Sequence, residues 1–186
     1  DDRTLYVANG CIPRVSYLHV GYGALTKQGE IPAGSEPTSV AIDPRGQYVY
    51  VTNRGTVPGT VSVLSVACKC RTSDIEVGTE PTGCVLTPTG AFLFVANSMS
   101  NTISVIRTAT KSVVATILLP DGYFPFAIAC TNDGDSDDSD ETVYVTQFLA
   151  QLRAGSYPTQ DYGDTDTGRI GKVNAIDVRS GSDAQV

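Results

Sequence analysis

The sequence predicts an all-β fold built from repeated four-stranded antiparallel sheets, and two recurring motifs predict it. A strand of the type YVTN occurs four times, and the polar residues that close its copies lie 44, 44 and 50 residues apart: Asn9, Asn53, Asn97 and Gln147. A G-x-x-P motif beginning at Gly34, Gly78 and Gly122 recurs every 44 residues. A fixed period of this size indicates a repeat architecture, and no long stretch has helical periodicity.

Each repeat contains the same elements in the same order. An apolar strand follows the proline (TSVAID, TGCVLT, FAIACT), and in two repeats a DPRGQ or TPTGA turn reverses the chain. The YVTN strand comes next. A third strand alternates apolar and polar residues (TVSVLSV, TISVIRT, KVNAIDV and, more weakly, RVSYLHV), and a fourth follows as SDIEVG or VVATILL. In the clearest repeat, the strands are predicted at residues 38–43, 47–53, 60–66 and 73–77.

Four short antiparallel strands per repeat are typical of a β-propeller blade. The alternative is a β-sandwich, which has no reason to keep a 44-residue register. In a propeller, each blade packs its apolar faces against the next blade. We therefore expect alternating strand residues to form a core between blades: Val49, Val51, Leu93 and Val95. Asn53 and Asn97 are expected to hydrogen-bond the backbone at the strand end.

The predicted blades are a partial blade 1 over residues 1–36, blade 2 over 37–80, blade 3 over 81–124, and a partial blade 4 with two insertions over 125–186. The sequence enters blade 1 at its second strand and leaves blade 4 after its third. We expect other parts of a longer chain to complete both sheets.

The repeat unit, from G-x-x-P through the YVTN, NTISVI and VVATI strands, resembles the YVTN-repeat family of β-propellers. The resemblance spans roughly residues 4–178, is strongest from Gly34 to Leu119, and weakens at CIPR in blade 1 and at Gln147 in blade 4. It implies a ring of about seven blades and a secreted or surface protein of bacteria or archaea. An extracellular, cell-surface or periplasmic location is therefore expected.

The charge balance argues against some partners. With 20 acidic and 13 basic residues, the net charge is −7, which repels phosphate backbones, so no nucleic-acid partner is expected. The longest apolar runs, such as SVVATILLP, have only strand length, so no membrane insertion is expected.

An acidic run, NDGDSDDSDE, replaces the tight first hairpin turn of blade 4. Its carboxylates form a candidate Ca²⁺ site, because Ca²⁺ prefers hard oxygen ligands: Asp133, Asp135, Asp137, Asp138, Asp140 and Glu141. The glycine falls too early for an EF-hand loop. The alternative is a solvated acidic hairpin tip that binds ions only loosely.

The second insertion, at residues 149–169, separates the second and third strands of blade 4. It carries residue types that are enriched in protein interfaces, and these are candidates for binding a protein partner or another part of a longer chain: Arg153, Tyr157, Tyr162 and Arg169. Asp161, Asp164 and Asp166 form a weaker oxygen cluster. The alternative is a disordered surface loop rich in Gly, Ser, Thr and Asp.

The cysteines and the single histidine give no catalytic motif. Cys84 and Cys130 replace apolar residues of inner strands and are expected to be buried thiols. Cys68 and Cys70 form C-x-C in the turn between two strands, and Cys11 is expected to pair outside this sequence if the compartment is oxidising. His19 is expected on the surface, away from the propeller axis.

Two functions remain open from the sequence. The first is a secreted or surface propeller that acts as a binding or structural scaffold. The alternative is part of a propeller enzyme, lactonase-like or related to quinoprotein or haem dehydrogenases, with catalytic groups outside this segment. The resemblance to propellers allows both, because a fold alone does not determine its chemistry.

Overall fold

The computed structural model describes residues 3–119, 124–148, 151–152, 169–170 and 173–178. Every regular element in these ranges is a β-strand: β1 Thr4–Asn9, β2 Arg14–Gly21, β3 Ala24–Pro32, β4 Pro37–Ile42, β5 Tyr48–Asn53, β6 Thr60–Ser65, β7 Cys70–Glu76, β8 Pro81–Leu86, β9 Phe92–Asn97, β10 Thr102–Arg107, β11 Ser112–Leu118, β12 Pro125–Cys130, β13 Thr142–Gln147, β14 Gln151–Leu152, β15 Arg169–Ile170 and β16 Val173–Asp177. No helix in this part of the chain is long and apolar enough to cross a membrane.

The strands form consecutive antiparallel sheets. Blade 1 has the order β1–β2–β3, blade 2 the order β4–β5–β6–β7, and blade 3 the order β8–β9–β10–β11. Blade 4 joins β12, β13 and β16, and β14 pairs with β15 separately. The predicted all-β propeller of four-stranded antiparallel blades is thereby confirmed for two complete and two partial blades in the described ranges.

The turn chemistry explains why the first two strands of a blade pair. In blade 2, the carboxylate of Asp43 accepts hydrogen bonds from the backbone N–H groups of Arg45 and Tyr48, both at 2.7 Å. Gly46 follows with φ +65°, a conformation that other residues adopt only with strain. Gly90 has φ +75° at the same place in blade 3. The chain therefore reverses within a few residues, as predicted.

Apolar faces of neighbouring blades enclose three cores. The alternation of β5 directs Val49 and Val51 to a core shared with blade 1, while Tyr50 points to the opposite face. Leu93 and Val95 of β9 pack in the same core as Tyr50. A third core joins blades 3 and 4. The predicted role of these valines and leucine between blades is confirmed, because each is at most 1% exposed.

The two repeat motifs contact each other at the end of the YVTN strand. The amide nitrogen of Asn53 donates to Ser62 Oγ at 3.0 Å, and Asn97 donates in the same way to Ser104 Oγ at 2.9 Å. Asn53 also donates to the backbone carbonyls of Val51 at 3.2 Å and Thr60 at 3.4 Å, so its expected backbone bond is present. Asn97 differs from the prediction, because its amide donates to the hydroxyls of Thr102 and Ser104 instead of a backbone carbonyl. A Cβ on Gly34 would lie 2.6 Å from the Asn53 side chain.

Strands β4, β5 and β6 match their predicted limits to within one residue, whereas β7 and β3 depart from the prediction. β7 begins at Cys70, three residues before the predicted 73–77, because the β6–β7 pairing continues past a bulge at Val63/Leu64. β3 of blade 1 was not predicted at all. Its sequence, ALTKQGEIP, is largely exposed and has little apolar alternation. Its pairing with β2 and the burial of Ile31 in the core between blades 1 and 2 hold it in place.

Candidate functional site at the propeller axis

Inner strands β4, β8 and β12 line an open cleft of about 510 Å³. Threonine hydroxyls join these strands across the blades. Thr38 Oγ1 donates to the carbonyl of Pro81 at 2.9 Å, and Thr82 Oγ1 donates to the carbonyl of Phe126 at 2.9 Å. A Cβ on Gly83 would lie 2.7 Å from the same Phe126 carbonyl, so β8 and β12 approach closely. The cleft wall is therefore formed by three tightly joined strands.

One end of the cleft is the upper face. We define it as the end where the second strand of each blade finishes and where the fourth strand leads into the inner strand of the next blade. Each of blades 2 to 4 places three equivalent residues there: the residue before the proline, the residue after it, and the residue after the closing Asn or Gln. In blade 2 they are Glu36, Thr38 and Arg54; in blade 3 they are Glu80, Thr82 and Ser98; in blade 4 they are Phe124, Phe126 and Phe148.

A repeated backbone conformation brings these positions together. The residue before each proline has a positive φ, of 50°, 51° and 51°: Glu36, Glu80 and Phe124. Its carbonyl accepts a hydrogen bond from the residue after the closing polar residue: Arg54 at 3.1 Å, Ser98 at 2.9 Å and Phe148 at 2.9 Å. The strained conformation recurs in three blades, so it belongs to the architecture and holds different side chains in one geometry.

Blade 4 thus places phenylalanine where its neighbours place polar residues. The rings of Phe126 and Phe148 have centroids 5.4 Å apart, and these side chains are 48% and 65% exposed. With Phe124 and Met99 they form one wall of a pocket of about 280 Å³. We call these four residues the aromatic corner. Clustered exposed apolar side chains of this kind mark binding surfaces more often than scattered ones do.

Charged and polar residues complete the lining of this pocket. Arg54 Nε lies 3.1 Å from a carboxylate oxygen of Glu36, and both side chains are about half exposed. Glu80 also lines the pocket. An exposed ion pair adds little stability. The pair is therefore free to exchange partners with a polar ligand, and the pocket combines an aromatic wall with donors and acceptors.

The predicted acidic run forms the hairpin between β12 and β13, at the opposite end of the blade. Asp138 is 7% exposed, and it accepts hydrogen bonds from the backbone N–H of Thr89 at 3.0 Å and from the Thr89 hydroxyl. Glu141 is 3% exposed and accepts from the Thr131 hydroxyl and from the Asp133 N–H. These two carboxylates are therefore engaged by the protein itself.

Three of the other four carboxylates come together. Asp133, Asp135 and Asp140 each offer an oxygen within 4.8 Å of the others, all at the surface. A backbone hydrogen bond lowers the pKa of Asp140, but the negative charges of Asp133, Asp135 and Glu141, together with desolvation, raise it above its ordinary value. Asp137 instead hydrogen-bonds Ser139, which lowers its pKa. Calcium binding stays a prediction, with Asp133, Asp135 and Asp140 as its best-placed ligands.

Most of the second insertion lies outside the described residues. Arg153, Tyr157 and Tyr162 fall there, as do the aspartates of the weaker oxygen cluster. The backbone of Arg169 pairs with Leu152 in the β14–β15 ladder. Partner binding by these residues stays a prediction.

The cysteines and the histidine differ in accessibility. Cys68 and Cys70 are joined by a disulfide, a pairing that the sequence left open. Cys84 is buried as expected, whereas Cys130 is only half-buried. Burial raises the pKa of both thiols to about 11. His19 is exposed on β2. Neither Cys84 nor Cys130 has the thiolate character of a nucleophile at neutral pH.

The aromatic corner was missed by the sequence reasoning, although its signal is present. Aligning the three G-x-x-P motifs gives EPT, EPT and FPF at the end of the motif, and the residue after the YVTN strand changes from Arg54 and Ser98 to Phe148. A comparison of equivalent positions in the aligned repeats would have shown blade 4 as the exception. Only the structure shows that the residues at these positions lie around one pocket.

Solved structures similar to this chain include enzymes. The chain is 26% identical to Kuenenia stuttgartiensis hydrazine synthase, with a TM-score of 0.72, over 94% of this chain and 43% of that one. Provisionally named 6-phosphogluconolactonases share the fold. The one from Bacteroides fragilis is 19% identical with a TM-score of 0.55 over 62% of this chain and 35% of that one. The one from Bacteroides uniformis is 20% identical with a TM-score of 0.57 over 63% and 38%.

The chain spans less than half the length of each of these structures. No curated protein matches it. The family model described as lactonase, 7-bladed β-propeller, matches residues 1–117, which is more than half of the chain. Together with the blades seen in the structure, this match shows that the chain belongs to the lactonase family of seven-bladed β-propellers.

Proposed function

We propose that this chain is part of a propeller enzyme whose upper face binds a small molecule, and that the described blades supply the wall of that site. The observation that carries the proposal is the change of three equivalent positions from polar residues in blades 2 and 3 to phenylalanine in blade 4. The shared backbone geometry does not require this change, because the same conformation holds polar side chains in blades 2 and 3. The change creates a pocket with an aromatic wall and charged residues at the mouth of the axial cleft.

The reaction we propose is the opening of a cyclic ester by water. The family and the provisional names of the two Bacteroides structures support it. In this proposal, the aromatic corner takes an apolar ring face or substituent of the lactone, and Arg54 and Glu80 meet its polar groups. The groups that activate water then belong to parts of the protein outside the described residues.

The charges around the pocket favour an uncharged substrate over a phosphorylated one. Arg54 is paired with Glu36, and Glu80 adds a further negative charge beside the pocket. A phosphate would therefore meet two carboxylates, Glu36 and Glu80, and a single guanidinium, whereas anion sites in proteins use convergent donors and cations. We expect a neutral sugar lactone or an alkyl lactone to be a better substrate than a phosphorylated sugar lactone.

The test is lactone hydrolysis by the full-length protein, followed by acid release at constant pH. Replacing both Phe126 and Phe148 by alanine should lower kcat/KM for the preferred neutral lactone about tenfold, since two aromatic contacts of about 0.5–1.5 kcal/mol each are lost. The control is Tyr22→Ala, which removes an aromatic side chain that is 95% exposed on blade 1. Unchanged kcat/KM in the double variant, or no hydrolysis of any lactone, would refute the proposal.

A second candidate is an enzyme of hydrazine chemistry, favoured by the similarity to hydrazine synthase over 94% of the chain. Hydrazine binding by the full-length protein, measured by calorimetry, without hydrolysis of any lactone would support it. The scaffold role predicted from the sequence has no support in the comparisons. The finer assignment to YVTN-repeat propellers and the location outside the cytoplasm stay predictions.

A further inference from the structure

The hairpin between β6 and β7 carries a disulfide that joins residues only two positions apart, Cys68 and Cys70. Cys68 is exposed and Cys70 is half-buried. The intervening Lys69 has φ +53°. The Cys68 end of the bond therefore lies at the surface, on the outer part of blade 2.

Blade 3 contains the same hairpin without a disulfide. Ser65 pairs with Cys70 in blade 2, and Arg107 pairs with Ser112 in blade 3, so Cys68 and Cys70 correspond to Thr110 and Ser112. The lysines between them correspond as well, because Lys111 has φ +52°. In blade 3, the hydroxyls of Thr110 and Ser112 lie 2.8 Å apart and form a hydrogen bond. The blade 3 hairpin thus forms with a hydrogen bond at the place where the blade 2 hairpin has a disulfide bond.

Contacts that do not involve sulfur hold the blade 2 hairpin. Lys69 Nζ donates to the Tyr6 hydroxyl at 2.9 Å and lies 5.1 Å from the centroid of the Tyr17 ring. Arg71 donates to the carbonyl of Ala33 at 2.9 Å. A disulfide that closes so short a loop also restricts the unfolded chain less than a long-range one. Reduction should therefore leave the hairpin in place.

We propose that Cys68–Cys70 is a thiol–disulfide exchange site that accepts two electrons from a dithiol, either a small molecule or a reducing protein. A donor thiolate attacks the Sγ of Cys68, the more exposed of the two residues. The Cys68–Cys70 bond breaks, and Cys70 leaves as a thiolate that takes up a proton. The donor's second thiolate then attacks its own sulfur in the mixed disulfide, which releases Cys68 and leaves the donor as a disulfide. The reverse sequence reoxidises the hairpin.

The surroundings favour this pair over the other cysteines. Cys68 and Cys70 are joined within one hairpin, and the exposed residue Cys68 gives a donor access to the bond. Cys84 is buried, and Cys130 is half-buried. Cys11 is exposed, but it has no second cysteine with which to form a two-electron couple inside this chain. The exchange is thus specific to one hairpin.

The first test is a redox titration of the full-length native protein in dithiothreitol buffers of graded potential. Free thiols are trapped with N-ethylmaleimide and located by peptide mass spectrometry. We expect Cys68 and Cys70 to be labelled together and reversibly while Cys84 stays unlabelled. A Cys11→Ser variant should titrate identically. Labelling of Cys68 and Cys70 only after denaturant is added would overturn the proposal.

The second test copies the blade 3 hairpin into blade 2 with Cys68→Thr and Cys70→Ser. We expect the Tm to fall by less than about 4 °C relative to the oxidised wild type, because the hydroxyl pair should close the turn as it does in blade 3. A larger fall would show that the disulfide is a structural link and would overturn the proposal.

Discussion

Gly78 and Asn97 show how single residues define this repeat. The β-carbon that any other residue would add at Gly78 would lie 2.7 Å from the Asn97 side chain, a distance that real contacts do not reach. Asn97 in turn donates to the hydroxyls of Thr102 and Ser104 at 3.1 and 2.9 Å. The glycine of G-x-x-P and the asparagine of the YVTN strand are therefore two halves of one packing unit.

This contact predicts the effect of Gly78→Ala. The added methyl group should displace Asn97 and weaken its two hydrogen bonds, lowering the free energy of unfolding by about 1–3 kcal/mol. The matched control is Gly10→Ala, where a Cβ would come no closer than 3.7 Å to its neighbours. Urea denaturation followed by circular dichroism measures both. Equal stability of the two variants would contradict this account of the motif.

At the scale of elements, the hairpins differ more than the strands. The first hairpin of blades 2 and 3 is a tight turn with glycine at positive φ, whereas blade 4 has a longer acidic hairpin at the same place. Asp138 of that hairpin reaches Thr89 in the hairpin of blade 3, so it joins two blades. Asp133, Asp135 and Asp140 point to solvent and repel one another. The acidic run thus contains one carboxylate that joins two blades and three that are candidates for binding an ion.

The acidic hairpin predicts a response to calcium. If Ca²⁺ binds the folded hairpin alone, it should raise the free energy of unfolding by about 2.7 kcal/mol at a hundredfold excess over its Kd, because it relieves the repulsion among three carboxylates. A variant with Asp133→Asn, Asp135→Asn and Asp140→Asn should lose this gain, whereas Asp137→Asn should keep it. The readout is Tm with calcium and with chelator.

The contrasting variant is Asp138→Ala. It should lower Tm equally in calcium and in chelator, because it leaves the Thr89 donors without their partner. A calcium shift of the same size in the wild type and in the triple asparagine variant would disprove the site.

At the scale of the whole molecule, stability depends on the cores between blades. The core between blades 2 and 3 contains two titratable side chains, Tyr50 and Cys84. Burial raises the pKa of Tyr50 to about 12, with a smaller contribution from Asp43, and burial raises the pKa of Cys84 to about 11. Each group therefore keeps its proton in the folded protein between its ordinary pKa and the raised one, where an exposed thiol or phenol would have lost it.

The molecule should consequently lose stability in alkali. Between pH 9 and 11, an unfolded Cys84 is ionised while the folded one keeps its proton, so the free energy of unfolding falls as pH rises, by about 2–3 kcal/mol for this thiol. Tyr50 adds to the loss above pH 10. Cys84→Val, which copies Val40 of blade 2, should flatten the fall between pH 9 and 10. A pH profile of urea midpoints checks this, and equal slopes in wild type and variant would rule it out.

The sequence by itself determined the blades, the strand order and the residues between blades. These follow from local rules: a period near 44 residues, alternation of apolar residues along a strand, and turn residues at fixed places. Val49 and Val51 could be assigned to an inter-blade core without a structure because alternation alone fixes which face they occupy.

Only the tertiary structure decided which side chains meet across turns, strands and blades. The sequence grouped six carboxylates by proximity along the chain, but the packing of blade 4 on blade 3 turned Asp138 inward to Thr89. Phe126 and Phe148 are 22 positions apart and converge because two strands of one blade end side by side. Cys68 and Cys70 are bonded because the hairpin turns between them. These contacts depend on how turns, strands and sheets are arranged in three dimensions, which the repeat pattern alone does not contain.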